Sequence, residues 1–179
     1  MHTYIALLRG INVNGQKMMS MEKLRALLED LGCTGVTTYI QSGNTVFQSG
    51  KVPHFTLEKK IKAAILDIFG FSVSVMVKTA NEWSEAVKKN PFLGRVDIDE
   101  SKLHVTFLSD TPNQAIVDEI LAGEYSSDEC IFSGKVVYLY CPGGYGKTKL
   151  SNAFFEKKTK LIATTRNWKT VSKLLELSV

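Results

Sequence analysis

The feature that most constrains the fold is an order of strands and helices that occurs twice in the 179-residue chain. In the first half, an apolar strand at Tyr4–Leu8 is followed by a helix, two β-rich runs joined across Ser42-Gly43, a second helix and a strand at Ser72–Val77. The second half repeats this order from Leu103, with its two strands joined across Ser133-Gly134. The order is that of a βαββαβ or α-β plait. The sequence therefore predicts an α+β fold with two ferredoxin-like subdomains, each an antiparallel sheet with helices on one face.

The helices are predicted from apolar spacing and from capping residues. Leucines at 24, 27, 28 and 31 recur at helical spacing after Ser20, a good N-cap. Thr56 is expected to cap the second helix, and another helix is expected to begin at about Thr148. A last helix is predicted at 165–177, with Trp168 on its apolar side.

The domain boundaries follow from these elements. We expect an N-terminal subdomain at 1–79, a connecting helix and acidic linker at 80–102, and a C-terminal subdomain with an extra helix at 103–179. The two hairpins align as Ile40/Ile131, Ser42/Ser133, Gly43/Gly134 and Val46/Val137. Each predicted sheet has one open face, which would be covered by packing face to face or against another chain, so a homodimer through an open sheet face is one expectation.

Composition narrows the class of protein. The longest unbroken apolar run, Val136–Cys141, is far shorter than the roughly 18–20 residues that cross a bilayer, so no membrane partner is expected. Arg9 and Asn12 follow the apolar N-terminal run at once, which argues against a secretory signal. The 3 cysteines are too few and too scattered for a disulfide framework, which fits a cytoplasmic setting.

The charge is distributed unevenly along the chain. Residues 135–179 carry nine basic and two acidic side chains, whereas residues 81–134 carry four basic and eleven acidic ones. A basic segment can bind phosphate-bearing partners through counterion release. It can equally pack on the acidic segment or form a solvated helix face.

One candidate site lies where the predicted topology joins two loops. In a βαββαβ plait, the loop after the first strand and the turn between the second and third strands lie at the same end of the sheet. This places three residues of the first loop near four residues of the turn, namely Arg9, Gly10 and Asn12 near Gln41, Ser42, Gly43 and Asn44. A cation and several amides can hold a carboxylate or phosphate. Alternatively, these residue types only satisfy turn geometry.

A second candidate site is the glycine-rich segment Cys141–Lys149. Cys141 stands where a P-loop requires its first glycine, so a nucleoside-triphosphate site is not expected. Free N–H groups at a helix start, beside Gly146, Lys147 and Lys149, could still bind an anion.

Other chemistry has little support in the sequence. Tyr138 and Tyr140 share a strand face, as in RNA-binding sheets, but alternating aromatics are more often buried packing. The histidines at 2, 54 and 104 lie far apart in sequence, with no metal-like spacing and no implied carboxylate partner. No metal, cofactor or catalytic triad is therefore predicted.

Several motifs together resemble a known family. They are Tyr4–Val13, Leu24-Arg25, Thr38–Asn44, Asn90–Phe92, Lys149–Asn152 and Thr164–Val171. These closely resemble the bacterial family called domain of unknown function 1697, which often has glycine at the position of Asn14. The resemblance implies two ferredoxin-like subdomains and no chemistry. Its motif residues include both loops of the first candidate site, and they add Arg166, Asn167 and Trp168 as candidate binding residues.

Three functions remain open from the sequence. The first is a cytoplasmic, non-catalytic binding protein for a phosphate-bearing ligand, with nucleic acid as one candidate. The second is a small enzyme that acts on a phosphorylated or carboxylated metabolite, with Arg9 and Lys147 binding its anionic groups. It ranks lower because no general base is evident. The third is a structural protein-interaction module.

Overall fold

The structure is a computed structural model that describes residues 1–179. It contains two four-stranded antiparallel sheets and six α-helices. None of the helices combines the length and the apolar character that crossing a membrane requires. Contacts divide the chain into two compact units, one formed by Met1–Glu85 with Lys173–Val179 and the other by Ala86–Ser172. The subdomain boundaries drawn from the sequence stay a prediction.

The first unit contains the predicted βαββαβ order. Its elements are β1 (His2–Arg9), α1 (Met21–Asp30), β2 (Thr34–Tyr39), β3 (Asn44–Ser49), α2 (His54–Phe69) and β4 (Ser74–Thr79), followed by α3 (Ala80–Lys88). The sheet has the strand order β2-β3-β1-β4, and each neighbouring pair is antiparallel. Strands β1 and β2 are therefore parallel, with β3 between them. This is the ferredoxin-like arrangement.

The second unit has the same arrangement. Its elements are β5 (Leu103–Leu108), α4 (Gln114–Leu121), β6 (Glu129–Ser133), β7 (Val136–Tyr140), α5 (Asn152–Thr159) and β8 (Ala163–Asn167), and α6 (Trp168–Leu177) follows. The strand order is β6-β7-β5-β8, again antiparallel throughout. The predicted fold class is confirmed in both halves of the chain.

Each sheet packs its helices on one face. In β1, Tyr4, Ala6 and Leu8 join α1 and α2 in the first core, whereas Ile5 and Leu7 point to the opposite face. Ile5 and Leu7 are nevertheless 0% exposed, so the centre of the helix-free face is also buried. The homodimer through an open sheet face stays a prediction, and this strand gives it no exposed apolar centre.

The helix-free face of the second sheet is buried as well. Tyr138 on β7 is 1% exposed, and its hydroxyl donates a hydrogen bond to the carbonyl oxygen of Ala86 at 2.6 Å. The rings of Tyr140 and Phe92 lie 6.0 Å apart. The two tyrosines thus pack against the segment that precedes β5, and Tyr138 in particular is a core residue with no surface for stacking a base.

Three predicted element boundaries are wrong. α2 begins at His54, two residues before Thr56, because Pro53 supplies the extended N-cap position. α5 begins at Asn152, well after Thr148, because Ser151 accepts a hydrogen bond from the N–H group of Phe154 and caps the helix there. The last strand is the polar run Ala163–Asn167, so α6 begins only at Trp168.

The polar strand β8 is stabilised by a chain of side-chain hydrogen bonds. The hydroxyls of Thr106 on β5 and Thr165 on β8 lie 2.7 Å apart. Thr165 in turn donates to Oδ1 of Asn152 on α5, also at 2.7 Å. Because these partners satisfy the buried hydroxyls, a strand without an apolar run can occupy the sheet edge.

The predicted alignment of the two hairpins is wrong by one residue. Leu8 donates its N–H group to the oxygen of Gly43 at 2.9 Å, and Leu108 donates to Lys135 at 2.8 Å. Gly43 therefore corresponds to Lys135. A slip of one residue reverses the side-chain faces of a strand. Accordingly, Val137 belongs to the helix-side core of its unit, whereas Val46, opposite Ile5, does not.

Candidate functional site

The two loops of the first candidate site meet at one end of the first sheet. The Nδ2 atom of Asn12 donates to the carbonyl oxygen of Gln41 at 2.7 Å, and Leu8 reaches Gly43 at the same end. The geometry follows from the topology, since β1 and β2 are parallel and both end at this edge. The structure therefore brings together all seven residues predicted for this cluster, which we call the β1–β2 rim: Arg9, Gly10, Asn12, Gln41, Ser42, Gly43 and Asn44.

Both polar atoms of the Asn12 side chain form hydrogen bonds with neighbouring backbone groups. Its Nδ2 atom also donates to the oxygen of Met19 at 2.9 Å, and its Oδ1 atom accepts from the N–H group of Met19 at 2.7 Å. Its own backbone has a φ of 53°, which asparagine tolerates. Asn12 thus joins the start and end of the first loop to the β2–β3 turn.

Gly43 and Asn44 are also required by the fold. Gly43 has a φ of +74°, and a Cβ atom there would lie 2.6 Å from Cβ of Leu8 and 2.9 Å from Cδ1 of Ile11. Asn44 is 0% exposed, and its Nδ2 atom donates to the oxygen of Tyr39 at 3.1 Å and to Oγ of Ser42 at 2.9 Å. These contacts favour the turn-geometry interpretation for the centre of the rim.

The remaining rim residues are closer to solvent. Gly10 and Gln41 are exposed, and Arg9 is half-buried and already makes contacts within the protein. Lys17, in the same loop, donates to the carbonyl oxygen of Ser72 at 2.8 Å. The rim therefore has few polar groups that a ligand could take without displacing an internal hydrogen bond.

The glycine-rich loop does not lead directly into a helix N-terminus. Its N–H groups close local turns, from Gly144 to the oxygen of Cys141, from Lys147 to Gly144 and from Thr148 to Tyr145, at 2.9 to 3.2 Å. Tyr145–Lys147 forms a short 3₁₀ turn, and α5 starts five residues later. The predicted anion site required a helix to start beside Lys147, and no helix starts there. Gly146, Lys147 and Lys149 are nevertheless exposed.

The three candidates at the end of β8 have structural contacts. Arg166 lies opposite Val105 in the sheet, and burial lowers the pKa of its guanidinium to about 10, so it stays charged at neutral pH. Asn167 accepts a hydrogen bond from the N–H group of Thr170 at 2.8 Å and caps the first turn of α6. Trp168 is 8% exposed and packs as a core residue.

The lysines of residues 135–172, in the second unit, are mostly exposed and free of ion pairs. This holds for five of them, which we call the lysine surface: Lys147, Lys149, Lys157, Lys160 and Lys169. Two others are neutralised, since Lys158 pairs with Glu119 and Lys135 lies 3.3 Å from Asp110. Lys149 also lines a cavity of about 620 Å³ whose other charged residues are Glu124, Asp128 and Glu129. The positive potential is therefore expected to be strongest around Lys147, Lys157 and Lys160.

The cysteines of the second unit are poor nucleophiles. Burial raises the pKa of both Cys130 and Cys141 to about 11, so both thiols are protonated at neutral pH.

His104 stacks on Tyr145 with ring centroids 4.7 Å apart, and burial lowers its pKa. No group of three or more His, Cys, Asp or Glu side chains is arranged to hold a metal ion.

The sequence interpretation missed one pair of chemically active groups. The Nε2 atom of His54 lies 3.2 Å from Oε2 of Glu82, although no carboxylate partner was expected for any histidine. The topology contains a signal for it: β3 and β4 both pair antiparallel with β1 and both end at the edge where β1 starts, so residues after β3 and after β4 lie at the same edge of the sheet.

Comparison with known proteins decides the family. The model of the family described as protein of unknown function (DUF1697) matches residues 1–138. The chain belongs to this family. A solved structure of a conserved bacterial protein from Streptococcus pneumoniae is similar in fold, with a TM-score of 0.77, 23% sequence identity and coverage of 99% of each chain. No curated protein matches the sequence.

Several DUF1697 motif residues stabilise turns and helix ends in this structure. Asn12 and Gly43 join the rim loops, and Ser151 and Asn167 cap α5 and α6. The last two lie after the region that the family model matches. Asn14, which stands where the family often has glycine, has a φ of 51°, a conformation that asparagine can adopt.

Proposed function

We propose that this DUF1697 protein binds a phosphate-bearing polyanion, with nucleic acid as the first candidate, through the lysine surface of its second unit. The observation that carries the proposal is the set of five exposed lysines without an ion pair. Such side chains contribute to affinity by releasing counterions from the phosphate backbone. Among the lysines of residues 135–172, Lys158 and Lys135 have their charge offset by a neighbouring carboxylate.

The distribution of charge favours a surface over a pocket. Lys157 is on the exposed side of α5, Lys160 ends that helix in a left-handed conformation, and Lys147 lies in the loop before it. Flexible lysines spread over a loop, a helix and the C-terminal cap of that helix suit an extended backbone of phosphates better than a single buried anion. For the same reason, we expect weak dependence on base sequence.

The β1–β2 rim is a weaker candidate for this role. Its amides already donate to backbone oxygens, and a ligand there would have to compete with those bonds. Arg9, Gly10, Gln41 and Ser42 can contribute a secondary contact. Arg166, Asn167 and Trp168 are expected to support the fold of the second unit.

The test measures the binding of a short mixed-sequence DNA duplex at low salt by fluorescence anisotropy. The decisive variant replaces Lys147, Lys157 and Lys160 by glutamine together. A matched control replaces Lys59, Lys60 and Lys62, which are exposed on α2 in the first unit and change the net charge equally. We expect the decisive variant to weaken binding at least about tenfold at low salt, and the control to change it by less than about threefold.

Two results would remove the proposal. One is an absence of binding by the wild-type protein at low salt, and the other is an equal loss in both triple variants, which would indicate attraction by net charge alone. If duplex binding is absent and a stable homodimer is found instead, the protein-interaction module becomes the better account. The metabolite-enzyme alternative ranks lower because it requires a general base, and no residue is assigned that role.

A further inference from the structure

A second site is suggested by a cavity at the end of the first sheet opposite the β1–β2 rim. It has a volume of about 690 Å³ and is lined by residues from the start of β1, the β3–α2 connection and the end of β4. This size is in the range of cavities that hold small molecules. All of its lining residues belong to the first unit, so this site is separate from the lysine surface.

The connection that forms one wall is held rigidly. The Tyr4 hydroxyl accepts from the N–H group of Val52 at 3.1 Å and donates to the Val52 carbonyl oxygen, also at 3.1 Å. The Tyr4 ring stacks on Phe47 at 5.9 Å and is 2% exposed. A buried tyrosine thus fixes the loop that carries Lys51 and Pro53, and the cavity exists before any ligand arrives.

His54 is held in one orientation at the first turn of α2. Glu82 accepts hydrogen bonds from the N–H group and the hydroxyl of Thr79 at 2.8 and 2.9 Å, which fixes its carboxylate. The His54 Nε2 atom lies 3.2 Å from that carboxylate, and the imidazole ring meets the Tyr4 ring edge-on at 6.4 Å. The imidazole ring of His54 is therefore fixed in orientation where it lines the cavity.

The lining combines aromatic surface with basic groups. Phe55 is 70% exposed although it is a large apolar side chain, and the Nζ atom of Lys59 lies 5.7 Å from the centroid of its ring. His2 and Lys51 add an imidazole and an ammonium group. The Glu82 carboxylate contacts His54 and Thr79 but does not itself line the cavity. Such a lining suits a ligand with one flat apolar part and one negative group.

We propose that this cavity binds a small aromatic carboxylate, with the ring against the exposed side chain of Phe55 and the carboxylate on Lys51. The ammonium group of Lys51 donates to the carboxylate oxygens, and His2 lies at the same mouth of the cavity. Tyr4 also lines the cavity but is 2% exposed, and its hydroxyl is already bonded to Val52, so it adds no competing donor.

The experiment is a titration of the isotopically labelled full chain with benzoate, followed by amide chemical shifts. Benzamide, which has the same ring and no charge, is the comparison ligand. We expect shifts confined to residues 2–4, 51–55 and 79, and benzoate to bind at least about tenfold more tightly than benzamide, since a charge-assisted hydrogen bond is lost in the amide. Lys51→Gln should weaken benzoate about tenfold and leave benzamide unchanged.

Two further variants separate the contribution of the Phe55 ring from a general effect of positive charge. Phe55→Ala should weaken both ligands several-fold, and because Phe55 is exposed the fold should be retained. Lys62→Gln, which removes the same charge as Lys51→Gln but from α2 outside the cavity lining, should leave both affinities unchanged. No saturable shift with benzoate, equal affinity for benzamide, or an equal loss in Lys62→Gln and Lys51→Gln would each overturn the assignment.

Discussion

Replacing Gly43 by alanine should destabilise the protein more than the same change at Gly10, although both glycines have left-handed backbones. Their φ values are +74° and +72°. A Cβ atom at Gly10 would meet nothing within 4 Å, whereas at Gly43 it would lie 2.6 Å from Cβ of Leu8. The pair therefore separates the effect of the dihedral angle from the effect of close packing.

The magnitudes follow from these two contributions. A left-handed conformation costs an alanine about 1–2 kcal/mol, and this applies at both positions. The gain from the stiffer unfolded chain is also common to both and cancels. At Gly43 the added methyl group must displace the β-carbon of a fully buried leucine, an overpacking that typically costs a further 1–3 kcal/mol or so. For a chain of this size the extra loss corresponds to roughly 2–12 °C in the unfolding temperature.

The assay is thermal unfolding of wild type, Gly10→Ala and Gly43→Ala, followed by circular dichroism under one buffer condition. The prediction requires Gly43→Ala to unfold clearly below Gly10→Ala. Equal unfolding temperatures would refute the reasoning, because they would show that the turn moves away from Leu8 without cost.

Two further predictions concern other buried polar contacts. Asn12→Ala removes three hydrogen bonds to backbone groups and should lower the free energy of unfolding by roughly 2–4 kcal/mol in urea denaturation; a loss below about 1 kcal/mol would contradict its role. Burial raises the pKa of Tyr138 to about 12, so the folded state holds this proton more tightly than the unfolded chain. Stability should therefore fall as the pH rises from about 10 to 12, and Tyr138→Phe should reduce that fall in urea denaturation at several pH values. An unchanged pH dependence of stability in Tyr138→Phe would contradict the role assigned to the Tyr138 hydroxyl.

The architecture could be predicted because local patterns and topology agree. Period-two apolar runs, helical leucine spacing and capping residues each predict the same βαββαβ order. That order alone determines which loops lie at each end of a sheet. The approach of the Arg9 loop to the Gln41–Asn44 turn could therefore be expected before any coordinates were known.

The register of the hairpins could not be read from the matching Ser-Gly pairs. In the first hairpin Ser42 and Gly43 end a four-residue loop, whereas in the second Ser133 is the last residue of β6 and Gly134 begins a two-residue loop. Sequence identity at a turn does not show how many residues the turn contains. The faces of the strands depend on that number.

The roles of the candidate residues could not be predicted either. Asparagine and glycine serve ligand binding and turn geometry equally well, and only the hydrogen-bond partners of Asn12 and Asn44 distinguish them. The partner of His54 could not be predicted, because the spacing Thr79-x-x-Glu82 indicates a capping box and gives no sign of a second contact for Glu82. Its Oε2 atom serves both contacts.

The most direct test of the proposed function is the salt dependence of duplex binding by the wild type and by the variant with Lys147, Lys157 and Lys160 replaced by glutamine. If all five residues of the lysine surface contact phosphates, log affinity should fall with log salt with a slope of about −4.5. Loss of three contacts should reduce the magnitude of this slope by about 2.7. A wild-type slope near zero, or an unchanged slope in the variant, would contradict the proposal that this surface binds phosphates.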